Sequence, residues 1–439
     1  MNLTFNHKQL VTKLYEFSWR IAVLLLPLQT RLYKEAFLNG HAWEQGRLSF
    51  YISWIPIVAV IALGIFNSKK ELSLNIRKNI FLIITFFGVV NIVAFPYAVT
   101  ASAQWWVQQL LLLLFFITLY KNNTSLDKLA FWFLVSILPS AIFAIAQSWL
   151  QFVPGWSWIG VATQNPMDLG VSVVQSGSLR WLRAYGFFPH PNILGGYMAF
   201  GILISFWLYL LPVKNNKKFL LAIVPFITTA LFYSFSRSAW IAAFVGLLIL
   251  FIPLVFKRQW KKILTSLVVV VTFSILIILH WDLASTRFGF SPEPVRLEQI
   301  SNQARTNSLL DGVKVFQANP LFGTGPNAEL PALVGLELSQ NKKTDWLEPP
   351  HNVWLLFLVN FGVFGALLMV GFFLRIFINS HFKLKKLILQ PDNLSLAMLG
   401  AWFVLTLFDH YPYSLWSGQV LTIFALSSLI IYRYSSLER

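Results

Sequence analysis

Apolar runs long enough to cross a bilayer recur about twelve times along this 439-residue chain, and nothing else in it limits the choice of fold so sharply. A spanning helix needs roughly 18 or more consecutive, mostly apolar residues. Such windows lie at about 18–30, 48–66, 79–97, 101–120, 128–150, 190–212, 218–235, 237–256, 261–281, 352–378, 394–409 and 417–433. Only 12% of residues are charged, about half the share usual in soluble domains. The expectation is an all-α polytopic integral membrane protein of about twelve transmembrane helices. The first window is short and interrupted by Pro27. It lacks a small-residue cleavage site, so it reads as a retained first helix and not a removed signal peptide.

The formal charge of +17 would suggest nucleic acid on a soluble surface, but its placement excludes that reading. With the amino terminus in the cytoplasm, inner segments hold Lys69, Lys70, Arg77, Lys78, Lys257, Arg258, Lys261, Lys262, Lys383, Lys385 and Lys386 among others, while the outer segments balance acids against bases. The whole excess lies on one side, as the positive-inside rule requires. Both termini are then cytoplasmic, and membrane lipid is the partner of the basic residues. The absence of cysteine excludes disulfides and thiolate metal sites.

The apolar windows divide the chain into helices 1–5 over 1–150, an outer loop over 151–189, helices 6–9 over 190–281, a large outer loop over 282–350, and helices 10–12 over 351–439. Long loops in a compact protein tend to carry function. In the second loop Leu309, Leu310, Val313 and Phe316 recur at helical spacing, which predicts an amphipathic helix ending before Pro320. The glycines of "FGTGPN" make a turn, plain or phosphate-cradling. No internal repeat is visible, which weighs against many transporter folds.

Polar residues at the outer boundary are the candidates for chemistry. "RWLRAYGFFPHPNILGGYMAF" places Arg183, His190 and Asn192 ahead of a helix whose Gly195 and Gly196 permit close approach. "YSFSRSAWIA" places Arg237 in a very short connection, "EPPHNVWLL" places His351 and Asn352 at a helix start, and "LFDHYPYS" places Asp409 and His410 at a helix end. All fall on one membrane face. Each also has a bland reading: arginines snorkel to headgroups, His410 and Asp409 form an interfacial pair, and His41 and His280 are solvated or interfacial. The loop carboxylates Asp311, Glu329, Glu337, Asp345 and Glu348 show no ligand spacing and read as solvated.

The ordered set "GFFPHPNILGGYM", "SRSAW", "NPLFGTGPNAE" and "PPHNVWLLFLVNFGVFG", over roughly residues 180–412, resembles the O-antigen ligase and polymerase family of bacterial envelope glycan enzymes. That resemblance implies the C-type glycosyltransferase fold, a large extracytoplasmic loop and a site on the extracytoplasmic face of the cytoplasmic membrane. It implies transfer of a glycan from undecaprenyl diphosphate to a hydroxyl of glycan, lipid or protein, with neither metal nor cofactor. By motif, His351 matches the family's loop histidine, and Arg183 and Arg237 match arginines around the donor diphosphate. Arg305 is a looser match. His190, Asn192, Asn352, Asp409 and His410 are the further candidates for substrate binding.

The residues fit this chemistry in their own right. A leaving diphosphate needs cations, and guanidinium forks bind phosphate oxygens bidentately. A hydroxyl nucleophile needs a base, which a neutral histidine supplies. The dipole at a helix start disfavours a charged imidazole, so His351 is expected to be neutral, aimed by Pro349 and Pro350. A flippase or other transporter of lipid-linked glycan is the alternative, and an envelope scaffold a third.

Overall fold

The computed structural model describes residues 7–68, 74–211, 216–290, 296–339, 348–379 and 393–437. It is mostly helical. In chain order the helices are α1 (His7–Leu25), α2 (Trp54–Asn67), α3 (Leu74–Lys121), α4 (Leu126–Leu150), α5 (Pro191–Leu210), α6 (Lys217–Tyr233), α7 (Arg237–Phe256), α8 (Trp260–Ile263) and α9 (Leu267–Leu279). They continue with α10 (Trp281–Phe288), α11 (Arg296–Ala318), α12 (Glu329–Ser339), α13 (Val353–Asn379), α14 (Leu394–Phe408), α15 (Tyr411–Ser414) and α16 (Trp416–Leu437). Among the described residues six helices are long and apolar enough to cross a membrane, and two shorter apolar helices, α2 and α14, accompany them.

Several expected boundaries move. The first helix is displaced toward the amino terminus: α1 ends at Leu25, ahead of Pro27. The chain then enters strand β1 (Arg31–Lys34), a small hairpin of β2 (Phe37–Leu38) and β3 (His41–Ala42), and β4 (Leu48–Tyr51), which pairs antiparallel with β1. Residues 48–51, expected in a span, are strand because their alternation of exposed and buried side chains follows the pleat. A third hairpin, β5 (Val173–Ser176) with β6 (Leu179–Leu182), fills the first long loop. The chain is therefore not purely α.

Helix α5 is the axis of the bundle. Every residue from Pro191 to Trp207 is buried, as expected of a helix apolar all round. It packs on α4, α6, α7 and α14. The expected close approach is present: a methyl added to Gly195 would meet the Ala239 Cβ of α7 at 2.7 Å. Phe133 of α4 stacks between Tyr197 of α5 (5.7 Å) and Phe424 of α16 (4.8 Å), which ties three helices together through aromatic faces.

Two helices are broken. Helix α3 leaves helical geometry at Ala98, which separates the two spans expected there. Helix α13 breaks at Gly362 (φ 62°), and the "FGTG" turn wedges into the break. Thr324 N donates to Val359 O (3.0 Å) and Gly325 N to Asn360 O (2.9 Å), while Val363 N donates to Pro320 O (2.8 Å). The carbonyls freed by the break are thus satisfied by the turn, as burial in an apolar bundle demands. Gly323 N is engaged with Asn319 O (3.1 Å), so the three successive amides of Gly323, Thr324 and Gly325 are all spent on the protein itself, which favours the plain structural turn.

Candidate functional site

The segment "FFPHPN" is shaped by α5 and by the helix before it. Gln147 of α4 accepts from the backbone N–H of Tyr185 (2.9 Å) and Gly186 (2.8 Å), and Gly186 takes a positive φ of 57°. The chain turns there and enters α5 through Pro191 at its first turn. His190 caps that helix: its Nδ1 accepts from Asn192 N at 3.1 Å, which leaves its Nε2–H to face Ser172 Oγ at 3.2 Å. Enclosure and the neighbouring Arg183 charge push the His190 imidazole down to about 3. It is a neutral capping group first, and lines the site second.

Asn192 joins two charges. Its Oδ1 accepts from Arg183 Nη2 at 2.6 Å, and its Nδ2 donates to Asp409 Oδ2 at 2.6 Å. Arg183 also donates from Nε to Ser234 O at 2.8 Å, in the turn that precedes α7. Beyond Asp409 lies His351, whose Nδ1 is 3.6 Å from Asp409 Oδ1. That is an ion-pair distance, longer than a hydrogen bond. On its other side His351 Nε2 faces Glu348 Oε2 at 3.3 Å.

These carboxylates overturn the expectation of a neutral His351. Burial alone would lower its proton affinity, but Asp409 and Glu348 outweigh burial and hold the imidazole at about 9. A dipole at a helix start contributes less than two carboxylates at contact distance. The Asp409 carboxyl would be raised by burial, yet His351 and His410 hold it well below the usual carboxylate range. His410, whose Nδ1 is 2.6 Å from Ser414 Oγ, is pushed down to about 4 by burial and by the His351 charge. Neutral at pH 7, its ring lies edge to face with His351 at 5.1 Å.

His190, Asn192, Glu348, His351, Asp409 and His410 line one cavity of about 270 Å³. Its opposite wall comes from the amino-terminal hairpin, including His41, Trp43, Glu44 and Gln45. His41 is exposed and Glu348 half-exposed, as expected of solvated residues, but both also border this cavity. Glu329 is also no solvated carboxylate: it is buried, which raises it to about 7. Asn360, oriented to satisfy its partners, donates to its Oε2 at 3.0 Å. Asp311 pairs with Lys314 at 2.6 Å. Asp345 lies outside the described residues. Asn352, expected at the substrate, caps α13 by accepting from Leu355 N (2.9 Å) and donates to Leu407 O (3.1 Å).

The arginines form a second cluster. Helix α11 is longer than expected, and its first half turns Glu298, Asn302 and Arg305, at helical spacing, along one side. Glu298 receives Arg237 Nη2 on Oε1 and Arg287 Nη1 on Oε2, both at 2.6 Å. Burial pushes Arg287 down to about 10 against the pull of Glu298. Arg305 acts electrostatically on both Arg287 and Arg183. Fully enclosed Arg183 is lowered by burial and by those like charges. Two arginines thus share one carboxylate, with Arg183 and Arg305 close enough to act on Arg287 or on each other. Arg287 and Glu298 were not singled out from sequence; the spacing of Glu298, Asn302 and Arg305 was the legible signal for the second.

The remainder of α11 departs from its expected face. Leu310 and Val313 are exposed, whereas Ser308, Gly312 and Val315 are buried. Gly312 lies against the proline pair: a methyl there would sit 2.6 Å from Pro350 Cγ. The helix that carries Glu298 and Arg305 is therefore seated on the segment that aims His351.

His351, Asp409 and His410 each offer one ligand atom within 4.8 Å of the others, so a cation could meet three side chains there. Such binding competes with the proton that Asp409 and Glu348 hold on His351.

Residues 219–370, about a third of the chain, match the family model described as O-antigen ligase. The resemblance carried by "SRSAW", "NPLFGTGPNAE" and "PPHNVWLL" is confirmed over that range. Arg183, His190, Asn192, Asp409 and His410 lie outside it. Comparison with curated proteins gave no match.

Proposed function

From the O-antigen ligase match over residues 219–370 as premise, we propose that the protein transfers a glycan from an undecaprenyl-diphosphate-linked donor to an acceptor hydroxyl at the outer face of the cytoplasmic membrane. About twelve spanning helices, cytoplasmic termini and an extracytoplasmic site belong to this reading, supported by the charge asymmetry of the loops. The observation that carries it is the pairing of an under-neutralised arginine cluster with a cavity holding a carboxylate-flanked histidine, the two joined through Asn192.

Arg183, Arg237, Arg287 and Arg305 take the diphosphate as its charge develops on leaving. The acceptor hydroxyl binds beside His351. Its oxygen attacks the anomeric carbon, the bond from that carbon to the diphosphate oxygen breaks, and the hydroxyl proton passes to His351 Nε2. In the resting site that nitrogen already holds a proton shared toward Glu348. As the acceptor arrives, the Nε2 proton passes to the Glu348 carboxylate and from half-exposed Glu348 to water, and the neutral imidazole is then the base. Arginine supplies the charge stabilisation, without a metal.

Purified protein in nanodiscs, incubated in EDTA with undecaprenyl-diphosphate-linked glycan and candidate glycan, lipid and protein acceptors, should release undecaprenyl diphosphate and glycosylate an acceptor. No cleavage of the donor with any acceptor, or cleavage only after magnesium or manganese is restored, would refute this reading.

A further inference from the structure

Among the described residues, the cavity beside His351 has three carboxylates on its walls, Glu44, Glu348 and Asp409, and neither lysine nor arginine. The His351 imidazolium on this wall is already flanked by Asp409 and Glu348, so a diphosphate would have to displace those carboxylates to reach it. The arginines stand in the separate cluster around Glu298. What the cavity offers is an indole, Trp43, beside groups that exchange hydrogen bonds with neutral hydroxyls: Gln45, Glu44, His41 and Asn192. Its volume of about 270 Å³ lies near the lower limit of small-molecule sites, roughly 300 Å³.

The wall is built to hold its shape. Glu44 is gripped by Arg31 at 2.6 Å and by Arg47, and Arg47 reaches on to Glu35 at 2.7 Å. Arg31 in turn lies over the Tyr51 ring and touches its hydroxyl at 3.2 Å. Trp43 lies over Gly46, where any side chain would collide with its ring, and packs on Ala98, Ala101 and Ala328. The kink of α3 and the start of α12 therefore both support the indole. A wall preorganised in this way does not have to be ordered when a ligand binds.

We propose that the amino-terminal hairpin, through Trp43 and Gln45, forms the acceptor subsite, and that the acceptor is a neutral sugar unit lying on Trp43 with one hydroxyl turned to His351. The assignment rests on the transfer reading above and narrows its acceptor to a sugar. It also gives function to a part of the chain outside the O-antigen ligase match.

The test is saturation-transfer NMR on the full chain in nanodiscs with methyl glycosides of hexoses and N-acetylhexosamines as probes, alongside donor cleavage by the same samples. At least one glycoside should receive saturation at its ring protons from the wild type and from His351→Ala. In Trp43→Ala and Gln45→Ala its affinity should fall about tenfold or more, while Trp43→Phe keeps most of it. Acceptor KM should rise in the same two variants with donor KM unchanged. The proposal is overturned if no glycoside contacts the wild type, or if both alanine variants bind it as the wild type does. Donor cleavage without glycoside binding would remove this proposal alone. Glycoside binding lost in the two variants, with no donor cleavage by the wild type, would support the subsite and refute the transfer reading instead.

Discussion

Asn192 hydrogen-bonds Arg183 with its oxygen and Asp409 with its nitrogen, both at 2.6 Å, so one amide couples the guanidinium of the cation cluster to the carboxylate that orients His351. An amide accepts from the arginine with one atom and donates to the carboxylate with another, so it can serve both charges at once. In Asn192→Ala both buried partners lose a bond, at about 1–3 kcal/mol each. Turnover should fall at least tenfold and the thermal midpoint should drop by several degrees. Wild-type kinetics and melting in this variant would show that the bridge couples nothing.

His351 gains proton affinity on folding, from its ordinary value of 6.5 to about 9. Its contribution to stability is therefore complete below about pH 6.5 and is lost as pH rises through about 9. As a base it must be neutral, so kcat/KM, which reports the free enzyme, should rise with pH and level off above about 9. Glu348→Gln removes one of the two carboxylates that hold the proton, and the rising limb should move to lower pH. A limb that stays in place in this variant would mean that Glu348 does not govern the histidine.

Arg287 shares Glu298 with Arg237, and the two should behave alike. Arg287→Ala should weaken binding of undecaprenyl diphosphate as much as Arg237→Ala does, and lysine should rescue either only in part, because a point charge lacks the bidentate fork. Glu298→Gln removes the anion that Arg237 and Arg287 share and should tighten that binding, most at low salt. Looser binding in Glu298→Gln would mean that the carboxylate serves chiefly to hold the arginines in place.

The seat of α11 on Pro350 is tight. Gly312→Ala inserts a methyl 2.6 Å from Pro350 Cγ, an overpacking that costs about 1–3 kcal/mol and shifts the segment that aims His351. Turnover should fall, whereas Gly335→Ala on α12, where an added methyl meets nothing within 4 Å, should be silent. Equal activity in both would detach α11 from the site.

The helical bundle was legible because bilayer-length apolar windows leave few alternatives, and α7 occupies the expected residues 237–256. The histidines, Asn192 and Asp409 were legible as polar residues at helix ends. The charge on His351 was not, since it depends on Asp409, brought in from a distant helix end, and on Glu348, three residues away across a proline pair whose geometry no local pattern fixes. Arg287 escaped notice for a similar reason: "LASTRFGF" carries no motif, and its meaning comes from Glu298 on the next helix. The hairpin wall was hidden by the strand Leu48–Tyr51, which read as the start of a span.

Donor affinity set beside turnover, in His351→Ala and Arg183→Ala in nanodiscs, tests the division between base and cation cluster most directly. His351→Ala should lower turnover by about two to four powers of ten, the range for a positioned base, with the Kd for undecaprenyl-diphosphate-linked glycan unchanged, while Arg183→Ala should lose donor affinity and turnover together. An equal loss of donor affinity in His351→Ala would place the imidazolium on the diphosphate and contradict its role as the base.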